Sequence, residues 1–305
     1  MNLHENRSAF EELITAAAED LNIDERIVEK DYYVTLLLKK LKHRLPDMVF
    51  KGGTSLSKCY GNIITRFSED LDISYSADSG KPGDAKKRKL KSSVTEAFED
   101  LGLKIYNIEE TRSRRDYNCY RATYASIYTP LLSIRNELIV ETYIGLLPYP
   151  TEKKLVNNYI YQFLHTQQEQ ELISDYALEP FEIITQDIRR TLIDKIFALC
   201  DYYLLGKSNN HSRHLYDIYK LLTIIPLDAD MKELINQVRD SRKELAICPS
   251  AHDGVDINNL LLEIIEQGVY AQDYQEITTK LIYESLPYEQ AIQGLSAIIN
   301  SGLFV

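Results

Sequence analysis

Asp70 and Asp72 stand one residue apart in "RFSEDLDISY", where alternating polar and apolar side chains predict a β-strand. Residues i and i+2 of a strand point to the same face, so the two carboxylates would sit side by side. At about 5 Å apart they repel by roughly 3 kcal/mol at an effective dielectric of 20. That arrangement calls for a cation. Just upstream, "FKGGTSLSKCYG" places two glycines, Gly52 and Gly53, before the hydroxylated Thr54 and Ser55.

These residues need a scaffold, and the chain supplies one in two parts. Helical spacing predicts helices over 6–20 and 24–44, the second ended by Pro46. "DMVFKGG" reads as a short strand stopped by glycines, "TSLSKCYG" as a short helix and "DLDISYS" as a strand. A polar loop over 76–84 leads to a helix from about 85 to 101. "LKIYNI", "YRATYASIY" and "ELIVETYIG" are β-branched and aromatic enough to be strands, and "FEIIT" is a last short one. Beyond it the periodicity is helical, over 187–206, 211–224, 229–246, 256–268 and 271–301 with a break near Pro287. The fold class expected is α+β: a small mixed sheet with helices, then a C-terminal helical domain, divided as 1–180 and 181–305.

Composition narrows the function. A net charge of −11 excludes a protein that coats nucleic acid through its global charge, because phosphate neutralisation dominates such binding. It leaves room for a local basic surface, and basic residues cluster at Lys86–Lys91 and at Arg112, Arg114, Arg115 and Arg121, the latter interleaved with Tyr117 and Tyr120. Each cluster alone reads first as a solvated face. No apolar run approaches the roughly 20 residues of a membrane span, and "MNLHENRSAF" carries no signal pattern. The four dispersed cysteines read as reduced thiols, so a cytoplasmic protein is expected.

Strand, Gly-Gly turn, short helix and an Asp-x-Asp strand together resemble the core of the polymerase-β-like nucleotidyltransferases. In such a site the glycines let the backbone approach nucleotide phosphates, and Thr54 and Ser55 donate to them. Asp70 and Asp72 hold two Mg2+ ions, with Mn2+ as the alternative, which suit oxygen ligands and the activation of a hydroxyl. A third carboxylate should come from a neighbouring strand. Glu137 and Glu141 of "NELIVETYI" share a face but lie about 13 Å apart at 3.3 Å per residue. Glu141, inside the β-rich stretch, is the expected ligand, and Glu137 is expected to be solvated. The Gly53–Asp70 interval is longer than the superfamily's usual one, so the connection between them must be extended.

A longer match is more specific. "VEKDYYVTLLLKKL", "FKGGTSLSKCYG", "RFSEDLDISY", "RTLIDKIFALCDYYL" and "SRHLYDIYKLL" follow the order and spacing of one family, over roughly residues 25–225. The chain resembles the AbiEii/AbiGii-type toxin nucleotidyltransferases of abortive-infection (phage-defence) and related toxin–antitoxin pairs. The resemblance implies that Gly52, Gly53 and Ser55 bind phosphate, that Asp70, Asp72 and Glu141 bind metal, and that Lys195 and Asp217 complete the third and fourth motifs. It also implies an NTP substrate, the acceptor end of tRNA as the expected target, and a separately encoded antitoxin as partner.

Taken without the resemblance, Lys195 on its apolar helix is a snorkelling lysine, and Asp217 could cap a helix or pair with Arg213. Lys58 and Arg66 flank the motif helix and are candidates for the triphosphate. His211 and His214 lack a third ligand at useful spacing. Glu29, Lys30 and Asp31 have no clear role beyond bracing the sheet. The expected function is Mg-dependent nucleotidyl transfer from an NTP to tRNA. The alternatives are transfer to protein hydroxyls, or a non-catalytic NTP-binding module acting through a partner.

Overall fold

A computed structural model describes residues 1–75, 83–129 and 134–304; the predicted loop at 76–84 falls outside these except for its last two residues. The chain forms two compact units. The first comprises Met1–Cys59, Glu69–Gly145 and Thr151–Thr185, and the second Tyr60–Ser68, Leu146–Pro150 and Gln186–Val305. The sequence reading divided the chain at 180/181; here the last division falls at 185/186, and two earlier segments belong to the second unit. One of them, Tyr60–Ser68, accounts for the long Gly53–Asp70 interval.

The first unit is built on a six-stranded mixed sheet in the order β3-β4-β2-β1-β6-β5. Its strands are β1 (Met48–Lys51), β2 (Asp70–Tyr75), β3 (Tyr117–Thr123), β4 (Glu137–Tyr143), β5 (Thr151–Val156) and β6 (Phe181–Gln186). β1 runs antiparallel to β2 and parallel to β6, while β4 runs parallel to β2 and antiparallel to β3. Period-two alternation sets two unlike faces. Leu71, Ile73, Tyr120, Ala122, Leu138 and Val140 are buried on one, whereas Asp70, Asp72, Cys119, Glu141 and Tyr143 are only partly covered on the other.

Helices α1 (Arg7–Leu21) and α2 (Glu25–Arg44) pack together, and α2 also packs on α4 (Asp84–Glu99). Val34, Leu37, Leu38 and Leu41 of α2 and Leu90, Val94, Ala97 and Phe98 of α4 are buried at helical spacing and supply much of the core. Helix α1 is capped by Asn6, α2 by Asp24. Two short helices, α5 (Tyr159–Thr166) and α6 (Gln170–Asp175), precede β6. Neither they nor β5 were read from the sequence.

The "LKIYNI" strand does not form. Ile105 makes one isolated bridge to Ala122, and the chain then turns through Ile108–Glu110. The Asn107 amide explains this: it accepts from Arg121 N at 2.9 Å and donates to Cys119 O at 3.0 Å, taking partners that a strand backbone would use. The "YRATYASIY" strand starts three residues earlier, at Tyr117, and ends at Thr123.

The second unit is mainly helical: α7 (Ile188–Leu204), α8 (Arg213–Leu222), α9 (Ala229–Arg242), α10 (Ile257–Glu266), α11 (Ala271–Glu276), α12 (Tyr288–Ala291) and α13 (Gln293–Ser301). The stretch 271–301, expected to be helical with a break near Pro287, forms three short helices, the second beginning directly after Pro287. Within the break, Ile282 bridges to Arg66 and Tyr283 N donates to Thr65 O, which fastens the Tyr60–Ser68 segment.

Candidate active site

The carboxylates gather through strand register. Asp72 is the direct partner of Glu141 across the parallel β2–β4 pair, and Lys51 is the direct partner of Asp72 across β1–β2. Cys119 faces Glu141 from β3. Directly paired residues point to the same side, so Lys51, Asp72, Glu141 and Cys119 form one row across four strands. Asp70, two residues before Asp72, lies on that face too.

Gly52 joins the turn to this row. It opens the short helix α3 (Gly52–Cys59) with φ +79°, a conformation that favours glycine. A Cβ there would fall 1.9 Å from Asp72 Oδ2. The glycine is therefore needed twice, for its backbone angle and for the carboxylate lying against it. Gly53 follows as a partly exposed helical residue. Thr54 and Ser55 are buried, and the Ser55 hydroxyl donates to Gly52 O at 2.9 Å, so in this arrangement it serves the turn itself.

One carboxylate oxygen on this face is left without a partner. Asp70 Oδ1 is buried without a hydrogen-bond partner, a costly state for a carboxylate oxygen. Tyr117 donates to Glu141 Oε1 at 3.1 Å. Burial, then the Glu141 charge, push the Tyr117 phenol above its ordinary range, and the same two causes raise the Cys119 thiol. Among the described residues, no three His, Cys, Asp or Glu side chains already enclose a metal position. The donors nevertheless suit a hard divalent cation: all are carboxylate oxygens, and one of them is orphaned.

Glu137 departs from expectation. It is buried, accepts from Tyr106 Oη, and pairs with Arg121 at 3.2 Å. Its backbone carbonyl is taken by Lys30, which also reaches Arg135 O and Glu69 Oε2, each at 2.7 Å. The Lys30 side chain is 1% exposed. One buried ammonium thus ties the residue before Asp70 to the start of the strand that carries Glu141. Its neighbours reach elsewhere, because consecutive helical residues diverge: Glu29 holds Ser126 Oγ and Ile127 N, and Asp31 holds Lys58 Nζ and Tyr159 N. From the sequence this trio has no clear role, and its partners are visible only in the fold. Lys51, Tyr117 and Tyr143 carry no sequence signal for this face beyond Lys51's place immediately before the glycine pair.

The family model described as nucleotidyl transferase AbiEii toxin, type IV toxin–antitoxin system, matches residues 36–294. The chain belongs to the AbiEii nucleotidyltransferase toxin family. An NTP substrate and an antitoxin partner follow from that membership. The match continues well past residue 225, where the motif resemblance ends. Among solved structures, MenT4, a nucleotidyltransferase toxin from Mycobacterium tuberculosis, aligns at 16% identity and a TM-score of 0.47, covering 95% of this chain and 97% of that one. JHP933 from Helicobacter pylori aligns at 16% identity and a TM-score of 0.43, covering 89% and 91%. No curated protein matches the sequence.

In this AbiEii chain the remaining predicted residues are committed to partners. Lys58, 6% exposed, pairs with Asp31 at 2.5 Å and donates to Asn157 O. In the second unit, Arg66 grips Asp217 with two nitrogens at 2.6 and 2.7 Å, and Lys195 Nζ approaches the same carboxylate at 2.6 Å. Asp217 is fully buried. Burial alone would raise its carboxyl, but the Arg66 guanidinium and then Lys195 outweigh it and hold the group well below the usual carboxylate range. The contact with Asp217 takes one of the three donors of the Lys195 ammonium. His211 and His214 stack in parallel with Tyr202. No helix is long and apolar enough to cross a membrane among the described residues.

Proposed function

We propose that this toxin, acting in the cytoplasm, transfers a nucleotide from an NTP to the 3′ acceptor end of tRNA, dependent on Mg2+ held by Asp70, Asp72 and Glu141. The observation that carries the reading is the register of Asp72 with Glu141, with Gly52 packed against Asp72. The divalent ions, when bound, neutralise the triphosphate and lower the pKa of the attacking hydroxyl. The chain's own residues do the rest. The Gly52–Gly53 backbone leaves room for phosphate, and a carboxylate of this face takes the proton from the acceptor hydroxyl. The hydroxyl oxygen bonds to the α-phosphorus, the bond from that phosphorus to the bridging oxygen breaks, and pyrophosphate leaves with the electron pair.

RNA is favoured over protein as acceptor by a basic surface that the fold makes continuous. Lys87 of α4 binds Arg114 O and Asp116, and Lys91 binds Thr111 O, so the helix run and the 111–116 segment lie together. Arg88, Lys89, Arg112, Arg114 and Arg115 remain exposed there, and the segment leads into Tyr117, which touches Glu141. Incubation with labelled NTPs, total RNA and Mg2+ tests the proposal. Label in the tRNA fraction is expected. Label in protein would replace the acceptor, and bound but unconverted NTP would remove the transfer step.

A further inference from the structure

We infer that Lys51 is a triphosphate-binding residue of this site, contacting the β- or γ-phosphate. The inference rests on the reading of the carboxylate face as the nucleotide site. Lys51 is the last residue of β1, immediately before Gly52, and register places it beside Asp72 in the row that continues to Glu141. It is partly exposed, whereas Arg66 and Lys195 are buried.

Its ammonium is also steered. Lys51 Nζ lies 5.5 Å from the centroid of the Tyr143 ring, within cation–π range, and Tyr143 is two residues beyond Glu141 on the same face. Gly145 makes room for that ring, since a Cβ there would fall 2.7 Å from Tyr143 Oη. The tyrosine therefore acts as a fixed platform that keeps the ammonium over the carboxylate row. Charge supplies the need for it. Three carboxylates and a triphosphate together carry more negative charge than two divalent ions cancel. A lysine point charge at the edge of the row is suited to the outer phosphates.

Binding measured with Mg2+ separates this role from a structural one. Each of the four NTPs is titrated against wild type, and then the mono- and diphosphate of the one that binds best. Lys51→Met is expected to raise the dissociation constant for the triphosphate about ten- to a hundredfold, the effect of removing one charge-assisted hydrogen bond. Monophosphate affinity and thermal unfolding should be unchanged, and Lys51→Arg should recover most of the triphosphate affinity. Equal losses for mono- and triphosphate, or no loss at all, would overturn the inference. Should Lys51→Met not fold, Lys51→Gln decides by the same comparison. A wild-type protein that binds no NTP, or an Asp72→Asn variant whose Mg-dependent binding is intact, would instead overturn the site reading and the Lys51 role with it.

Discussion

Two groups of charges in this molecule use the same residue types to opposite ends. In the second unit, Asp217 is fully buried and held by Arg66 and Lys195 at hydrogen-bonding distance. On the sheet of the first unit, Asp70, Asp72 and Glu141 share a half-open face, and one carboxylate oxygen has no partner. The first group is a closed ion cluster in which one carboxylate is held by two cations. The second gathers three carboxylates on a partly exposed face and leaves Asp70 Oδ1 without a hydrogen-bond partner, a donor set suited to an added cation. A carboxylate's role is thus set by what surrounds it, not by its type.

The contrast breaks most sharply if the open carboxylates prove dispensable. Asp70→Ala or Asp72→Ala is expected to lower transfer at least a thousandfold and abolish toxicity, with thermal stability unchanged or slightly raised because a source of repulsion is gone. Full toxicity in either variant would refute the metal assignment.

A finer test compares two glutamates on one strand. Glu141→Gln should reduce activity far more than Glu137→Gln. The latter leaves Arg121 and Tyr106 with a weaker partner and should cost about 1–3 kcal/mol of stability, read from denaturant unfolding. The reverse order would mean that the β2–β4 register is wrong.

The closed cluster should answer in stability and pH. Asp217→Asn leaves two buried cations uncompensated and is expected to cost about 3–5 kcal/mol. Because the folded carboxyl is held below its unfolded value of about 3.9, its contribution is complete above that pH and is lost as pH falls through the folded value. The stability gap between wild type and Asp217→Asn should therefore stay constant from neutrality to about pH 5 and narrow in stronger acid. A gap that widens on acidification would contradict the assignment.

The smallest effect expected is at the basic surface. Reversing three charges among Lys86–Lys91, or among Arg112, Arg114, Arg115 and Arg121, should raise the KM for RNA without altering NTP binding. The salt dependence of RNA affinity should flatten by roughly 0.7 to 0.9 log unit for each phosphate that is no longer neutralised. Unchanged slopes for both variants would place the acceptor elsewhere.

What could be read from the sequence was local. Gly52, Gly53, Asp70 and Asp72 fall within one short stretch, and period-two alternation alone puts both aspartates on one face. Helical spacing likewise determined α1, α2 and the mainly helical second part. What could not be read were contacts between residues distant along the chain. The pairing of Lys58 with Asp31 and of Arg66 with Asp217 was not visible, because the partners lie 27 and 151 residues apart. "LKIYNI" looked like a strand because propensity cannot register a side-chain amide that displaces the ladder. Glu137 looked solvated because nothing in its neighbourhood announces its carboxylate's partners, Tyr106 and Arg121, 31 and 16 residues away. Composition and periodicity decide which faces exist. Only the folded chain decides which charges meet, because pairing and desolvation depend on distance in space, and the register that sets Asp72 beside Glu141 is a property of two strands, not of either one.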